Sequence, residues 1–410
     1  FMIVDVVGLY YFAGGEAGIS QFIRSLVSGL ANFILIPVPL FILMGEVLLC
    51  SGLANDIIKV IDKWFGRLPG RLALLTVGVG TLFSALCGMS TATVSMMGRV
   101  LIPEMEKRGY KKQMSLGSIL GSGGLSIMIP PSALAVLLAA VGEISVGQIL
   151  IAIIVPGFLM AALYTLYIIL RCKLQPSIAP PYFVEKTSLR ERISESIPYI
   201  APIILIVFMV VGVILLGIAT PSEASATGAL GTFILTAIHR RFSWALVKES
   251  FSSTAKITIQ LFLIVVCAGA FSQLLAFTGS TTGVVNLAVN STLPPLWIVI
   301  SMMVAALILG MFMTVAAVMM ITLPIFVPVV TVLGFDPVWF GVLMMLNLEI
   351  GVTSPPFGVN LFAMKMVAPP GTTMGDCYRA SLPFIGLDLI AMVLIIVFPS
   401  IALWLPGLMR

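Results

Sequence analysis

The stretch that decides the fold reads Gly351-Val-Thr-Ser-Pro-Pro-Phe-Gly358, and it interrupts an apolar segment. A shorter counterpart, Ile129-Pro-Pro-Ser132, interrupts another. Each pair of prolines removes two backbone amide donors and clashes with the preceding helical turn, so a helix breaks there. Carbonyl groups freed in lipid are costly unless something satisfies them. The two breaks therefore predict discontinuous membrane helices, which secondary transporters use to bind ions and substrates.

The composition is that of a membrane protein. Of the 410 residues, 60% are hydrophobic and only 10% are charged, against roughly 25% charged in an average soluble domain. Apolar runs of about 20 residues, enough to cross a bilayer as helices, recur at residues 200–218, 257–277 and 382–405. They are continuous rather than alternating, which favours an all-α polytopic fold over a barrel. The chain begins with Phe1 inside an apolar run without a visible signal peptide, so we expect the natural start to lie upstream.

The distribution of basic residues predicts the orientation in the membrane. Basic clusters occupy residues 104–112, 171–192 and 240–248, which the positive-inside rule places in the cytoplasm. Connections at 217–222, 278–293 and 333–337 contain no Lys or Arg and are expected outside. Two apolar spans separate each successive pair of basic loops, so the charges and the spans agree. Orientation explains the net charge of +5 without a nucleic-acid partner.

Two parts of the chain share a pattern. Gly88-Met is followed by Pro103 after 15 residues and by Pro130-Pro131 after 42. Gly310-Met is followed by Pro324 after 14 residues and by Pro355-Pro356 after 45. The loop after Pro103 is basic, whereas the one after Pro324 is not, so the copies are expected to face opposite ways. Inverted repeats of this kind are typical of secondary transporters.

Each copy is predicted to contain a re-entrant hairpin and a Pro-broken helix. The hairpins are residues 71–107, which turn at a small polar segment near 87–93, and residues 296–333, which turn near 310–317. Both ends of the first hairpin are basic, so its chain enters and leaves on the same side. The broken helices are residues 113–140 and 338–368.

Hydroxyl and amide side chains cluster at these turns and breaks. Ser90, Thr91, Thr93 and Thr314 lie at the hairpin turns, whereas Ser126, Ser132, Thr353, Ser354 and Asn360 flank the breaks. Their oxygen atoms suit Na⁺, and half-helix N-termini suit a carboxylate. Taken singly, such residues more often only pack helices together. Beside a Pro-Pro break, binding becomes the better interpretation.

Three acids lie in apolar surroundings. Glu349 is the strongest functional candidate, because it precedes Thr353 by about one helical turn. It would balance a cation, carry a proton or make a structural hydrogen bond to the broken helix. Glu223 follows Thr220-Pro221, a pattern that predicts helix capping, and Glu46 is equally well explained as a buried structural acid. His239 is expected at the membrane interface, and residues 53–68 are expected to form an amphipathic helix on the inner surface.

Several of these motifs, in this order, resemble the large membrane subunit of tripartite ATP-independent periplasmic (TRAP) transporters, in the ion-transporter superfamily. They are Gly88-Met-Ser-Thr-Ala-Thr, Ile102-Pro-Glu-Met-Glu-Lys-Arg-Gly-Tyr110, Ile129-Pro-Pro-Ser132, Pro156-Gly157, Gly217-Ile-Ala-Thr-Pro-Ser-Glu-Ala224 and Gly351-Val-Thr-Ser-Pro-Pro-Phe-Gly358. The resemblance extends from about Pro37 to Pro399. One departure is Met89, where the family more often has Gly-Ser, so a carbonyl rather than a hydroxyl would serve at that position.

The resemblance implies Na⁺-coupled uptake of an organic acid, of the sialic acid or C4-dicarboxylate type, across the bacterial inner membrane. Its implied partners are a small four-helix membrane subunit, a periplasmic substrate-binding protein and the lipid bilayer. Two or more Na⁺ ions would bind at Gly88, Ser90, Gly124 and Ser126, and at Gly310, Thr314, Gly351, Thr353 and Ser354. The substrate would contact Ser90, Thr91, Thr93, Pro130, Pro131, Ser132, Thr314, Pro355, Pro356 and Asn360.

The resemblance also implies an elevator, in which a transport domain slides against a scaffold. Residues 71–170 and 294–405 would supply the transport elements. Residues 1–70, 171–255 and 256–293 would supply scaffold helices, with a cytoplasmic amphipathic arm in the first of these regions, a cytoplasmic loop in the second and an external arm in the third.

Three rival functions remain to be weighed. A stand-alone Na⁺-coupled carboxylate carrier of similar architecture would work without a binding protein, and only the family motifs argue against it. An intramembrane enzyme would need a metal motif, paired acids or a Ser-His pair, and the single histidine and the five scattered cysteines offer none. A channel has no need of two hairpins with matching broken helices.

Overall fold

The computed structural model describes residues 2–64, 68–180 and 188–409, and these residues form helices joined by short turns. Within those ranges, six helices are long and apolar enough to cross a membrane, or seven if one bent pair counts as a single span. The prediction of an all-α polytopic membrane protein is confirmed.

The chain opens with helices that precede the first repeat. They are α1 (Met2–Phe12), α2 (Glu16–Leu30), α3 (Pro37–Cys50) and α4 (Leu53–Asp62). Helix α4 buries its apolar face, including Ile57 and Ile61, as expected of an amphipathic helix. Ion pairs stabilise its polar face. Arg71 donates hydrogen bonds to both carboxylate oxygens of Asp62, and Arg241 forms an ion pair with Asp56. Of the predicted arm 53–68, residues 65–67 lie outside the described residues.

The first repeat consists of α5 (Arg71–Cys87), α6 (Ser90–Lys107), α7 (Lys112–Met128), α8 (Ala133–Val141), α9 (Val146–Ala152) and α10 (Ile154–Leu174). Helices α5 and α6 are joined through Gly88, whose φ of 59° is left-handed and favours glycine. Helices α7 and α8 are bent by 50° at a break that contains the cis peptide bond Pro130-Pro131. The structure therefore supplies the two devices of the first repeat, a helical hairpin and a broken helix.

The middle of the chain consists of α11 (Leu189–Val207), a π-helical turn at Phe208–Gly212, α12 (Val213–Leu215), α13 (Pro221–Ile238), α14 (Trp244–Phe277) and α15 (Ser280–Val289). Helix α13 begins with a capping box, in which Glu223 accepts from the Thr220 amide at 2.8 Å and Thr220 accepts from the Glu223 amide at 3.3 Å. The capping role predicted for Glu223 is confirmed. His239, at the other end of α13, stacks on Tyr199 with ring centroids 4.6 Å apart.

The second repeat consists of α16 (Pro295–Gly310), α17 (Val315–Val332), α18 (Pro337–Thr353), α19 (Val359–Val367), α20 (Met374–Val397) and α21 (Ser400–Leu403). Its first four helices repeat the order of α5 to α8, a hairpin followed by two helices with a break between them. That break also contains a cis peptide bond, Pro355-Pro356. The two copies thus share their local construction.

Helices α7 and α18 form the centre of the molecule. Every residue of α7 from Met114 to Met128 is buried, as is every residue of α18 from Val338 to Thr353. Glycines allow their neighbours to approach closely. A Cβ atom at Gly80 would lie 2.7 Å from the Ser122 carbonyl oxygen, and one at Gly310 would lie 3.3 Å from the Gly351 Cα. The hairpins can therefore lie directly against the broken helices.

Candidate functional site

The two hairpin turns are built differently. In the first, only Gly88 and Met89 separate α5 from α6, and Met89 is extended with φ −132°. In the second, residues 311–314 separate α16 from α17, and the Thr314 hydroxyl accepts a hydrogen bond from the Ala317 amide at 3.4 Å. The breaks also differ. Ser132 caps α8 by accepting from the Ala135 amide at 3.3 Å, whereas α19 begins after Gly358 without a side-chain cap.

A cavity of about 630 Å³ lies where these turns and breaks meet. Its lining includes the first residues of four helices, namely Ser90 of α6, Ala133 of α8, Val315 of α17 and Val359 of α19. Backbone amides at a helix N-terminus carry partial positive charge and bind anions. Four such ends on one cavity, two from each repeat, favour a negatively charged ligand.

The other wall of the cavity comes from α3 and α14. Ile42 and Glu46 of α3 line it, together with Gln260 and its apolar neighbours in α14. Among the described residues that line the cavity, Glu46 is the single charged side chain. An anion in this cavity would therefore interact with helix ends and hydroxyl groups, because the described lining contains no arginine or lysine.

Predicted site residues divide between this cavity and its surroundings. The cavity lining includes Gly88, Ser90, Thr91, Thr314 and Asn360. Thr93 and Ser132 are buried behind it, and the lining includes neither them nor Pro130, Pro131, Pro355 and Pro356. The prolines shape the breaks, and the Pro356 carbonyl accepts a hydrogen bond from the Tyr378 hydroxyl at 2.8 Å.

Around the first break, two residues of the predicted Na⁺ set, Ser126 and Gly88, join the hairpin to the broken helix. The Ser126 hydroxyl donates to the Thr93 hydroxyl at 2.9 Å, and Ser84 donates to Ser126 at 3.4 Å. A Cβ at Gly88 would lie 3.5 Å from the Pro131 carbonyl oxygen, so turn and break are in contact. Hydroxyl and carbonyl oxygens concentrated here fit a hard monovalent cation.

Around the second break, Gly310 lies directly against Gly351, which brings the second hairpin to the end of α18. Ser354 is buried at the break itself. The Thr353 hydroxyl donates to the Glu349 carbonyl at 2.9 Å, leaving its lone pairs available to a cation. The second predicted set, which also includes Thr314 at the cavity, thus lies at this turn and break.

A polar contact joins the two repeats. The Asn360 amide nitrogen donates to the Ser90 hydroxyl, while the Asn360 carbonyl oxygen has no hydrogen-bond partner among the described residues. Glu349 is 1% exposed, and neither of its carboxyl oxygens has such a partner, although the Ser90 hydroxyl lies nearby. Gly124 makes room for it, since a Cβ there would lie 2.2 Å from Glu349 Oε1. The roles predicted for Glu349 stay predictions, and its buried oxygens have the Ser90 hydroxyl of α6 as their neighbour.

Sequence reasoning missed two buried acids, Asp5 of α1 and Asp388 of α20. Asp388 of α20 is 2% exposed and accepts a hydrogen bond from the Tyr164 hydroxyl of α10. It lies within the apolar run at residues 382–405. A lone acid in such a run is the signal that would have found it. Gln260 and Ser95 of the cavity lining were missed as well, because single polar residues in membrane helices are common.

Comparison with known proteins identifies the family. Residues 1–401 match the family described as "Tripartite ATP-independent periplasmic transporter, DctM component". The chain is 32% identical to the C4-dicarboxylate TRAP transporter large permease protein DctM of Pseudomonas aeruginosa, over 92% of this chain and 87% of that protein. It is 30% identical to the ectoine TRAP transporter large permease protein TeaC of Halomonas elongata, over 98% and 93%.

Two further similarities concern another relative and a solved structure. The chain is 27% identical to the sialic acid TRAP transporter large permease protein SiaM of Vibrio cholerae, over 100% of this chain and 94% of that protein. The crystal structure of the Alcanivorax borkumensis YdaH transporter superposes with a TM-score of 0.63 at 17% identity, over 93% of this chain and 89% of that one. This likeness shows a shared fold. Together with the family match, the geometry leads to one conclusion: the chain belongs to the DctM family of TRAP transporter large permeases, which are transporter components and not enzymes.

Proposed function

We propose that this chain carries a small organic acid into a bacterial cell across the inner membrane, driven by Na⁺, after a periplasmic protein has delivered the solute. The observation that carries the proposal is the cavity onto which four helix N-termini open, two from each repeat. Such ends bind a carboxylate without a basic side chain. Relatives of this chain are named as transporters of C4-dicarboxylates and of sialic acid, and each of these solutes has a carboxylate group.

Na⁺ would bind behind the substrate, at the junction of each hairpin with its broken helix. Gly88, Ser90, Gly124 and Ser126 would supply oxygens to the first ion, and Gly310, Thr314, Gly351, Thr353 and Ser354 to the second. The unpartnered oxygens of Asn360 and Glu349 support this assignment, because buried oxygens without donors favour a cation. Bound Na⁺ would supply positive charge beside the carboxylate, so that each promotes binding of the other.

The repeated construction supports an elevator. The cavity lies between elements of both repeats on one side and α3 and α14 on the other. If the repeats move together against α3 and α14, the cavity reaches the two membrane faces in turn. The tripartite description of the family supports a periplasmic binding protein and a small membrane subunit as partners.

The test is uptake of labelled sialic acid, succinate or ectoine into proteoliposomes that contain the chain with its small subunit. Each solute is tested with and without an inward Na⁺ gradient and with and without a binding protein specific for it, and K⁺ replaces Na⁺ in the control. Uptake that needs both Na⁺ and the binding protein is expected. Uptake without the binding protein would favour the stand-alone carrier, and uptake independent of Na⁺ would refute the coupling.

A further inference from the structure

The two walls of the cavity differ in electrostatic character, and the proposed function does not explain this difference. Its hairpin side presents helix N-termini, with Ser90 and Asn360 at two of them. Its α3 side presents Glu46, which is 9% exposed and stands one helical turn after Ile42 of the same lining. No lysine, arginine or histidine occurs among the described residues of the lining to neutralise this carboxyl group.

Among the described residues, the side chains that interact with Glu46 from outside the lining are neutral or acidic. Helix α14, which lies beside α3, offers Ser253 as a neutral partner and Glu249 as a second acid. Further along α14, Gln260 faces the cavity. The ionised form of this carboxyl group attracts a cation or a hydrogen-bond donor and repels another carboxylate.

A bound solute must satisfy both walls at once. Binding of a carboxylate at the helix N-termini is favourable, whereas a second carboxylate that extends towards Glu46 is repelled by the negative charge of that side chain. An amidinium, an ammonium or a hydroxyl group in that position donates a hydrogen bond to the Glu46 carboxyl group. Repulsion of the wrong ligand is as effective a source of specificity as attraction of the right one.

We propose that Glu46 is a specificity-determining residue, which selects solutes with one carboxylate and a cationic or hydrogen-bond-donating group at the opposite end, and which rejects dicarboxylates. This inference rests on the proposed function, because it assumes that the cavity is the solute site. Ectoine, a carboxylate with a cationic amidinium, fits both walls. Sialic acid, with its hydroxyls, fits less strongly, and succinate fits poorly.

The experiment measures binding rather than uptake, because a binding protein would impose its own preference. The chain with its small subunit is purified, and dissociation constants for ectoine, sialic acid and succinate are measured by calorimetry in Na⁺ buffer. We expect ectoine to bind most tightly. Replacing Glu46 by Gln is expected to weaken ectoine about tenfold, or about 1.4 kcal/mol, and to strengthen succinate several-fold. Glu46→Asp is expected to keep the order of preference.

The matched control is Glu106→Gln, which removes an exposed acid near the far end of α6 that does not line the cavity. It is expected to leave all three dissociation constants unchanged. Succinate binding more tightly than ectoine to the wild type, or Glu46→Gln leaving their ratio unchanged, would overturn the inference while leaving Na⁺-coupled transport intact. Binding of none of the three solutes would instead refute the cavity as the site for these acids, and with it both this inference and the proposed substrate class.

Discussion

The two repeats place similar backbones around the cavity but satisfy their polar groups in different ways. In the first repeat, Ser84 donates a hydrogen bond to Ser126, Ser126 donates one to Thr93, and Ser132 caps the helix after the break. In the second, Asn360 reaches across to Ser90, and Glu349 has no hydrogen-bond partner among the described residues. The polar groups at the first break are therefore satisfied largely by side chains of the same repeat. At the second break, the backbone packs closely, Asn360 bonds to the other repeat, and the Glu349 oxygens are left for a ligand.

The largest expected difference concerns the residue that immediately precedes each second half-helix, Gly358 before α19 and Ser132 before α8. Gly358→Ala would place a Cβ 2.5 Å from the Val352 carbonyl and 2.7 Å from the Ser354 carbonyl, both backbone atoms. We expect it to lower the free energy of unfolding by about 3 kcal/mol, since backbone cannot easily move aside. Ser132→Ala removes only a cap and should cost about 1 kcal/mol. Thermal unfolding in detergent compares the two, and equal melting temperatures would show that the breaks are equivalent.

A smaller contrast is expected where each hairpin contacts its broken helix. A Cβ at Gly80 would lie 2.7 Å from the Ser122 carbonyl oxygen, whereas one at Gly310 would lie 3.3 Å from the Gly351 Cα. Gly80→Ala should therefore cost about 2 kcal/mol and Gly310→Ala about 1 kcal/mol. The same unfolding assay checks the order. A larger loss for Gly310→Ala would place the tighter contact in the second repeat.

Thr353 tests whether the second break binds Na⁺. Thr353→Val keeps the shape of the side chain but removes a hydroxyl that donates to the Glu349 carbonyl. We expect the Na⁺ concentration for half-maximal uptake to rise about tenfold, equivalent to about 1.4 kcal/mol, with little change in melting temperature. Thr322→Val is the matched control, because Thr322 is also buried and donates to the Val318 carbonyl outside the proposed site. Unaltered Na⁺ dependence in Thr353→Val would remove that residue from the ion site.

The smallest effect concerns the contact between repeats. A double-mutant cycle with Ser90→Ala and Asn360→Ala should give a coupling energy of about 1 kcal/mol in unfolding, the typical net value of one hydrogen bond. The corresponding cycle with Ser84→Ala and Ser126→Ala should give less, since that contact is 3.4 Å long. Coupling near zero for Ser90 and Asn360 would mean that the repeats are not joined through this bond.

The sequence predicted the positions of the breaks well, because paired prolines dictate them locally. It also predicted the Glu223 cap, whose Thr-Pro-x-Glu signal is local too. It did not predict that α3 and α14 would close the cavity with Glu46 and Gln260, nor that Tyr164 would meet Asp388, because these contacts join distant parts of the chain. Apolar membrane helices carry little periodic signal to indicate which face meets which neighbour.

The central claim is that both repeats share one cavity that opens to either side of the membrane in turn. Thr91→Cys, in a background without the native cysteines, places a thiol in that cavity. The measurement is its labelling by a membrane-impermeant thiol reagent, applied from each side of oriented vesicles. The account predicts labelling from both sides, and protection from both when Na⁺ and a transported acid are added together. Labelling from one side only under every condition, or labelling indifferent to Na⁺ and solute, would contradict it.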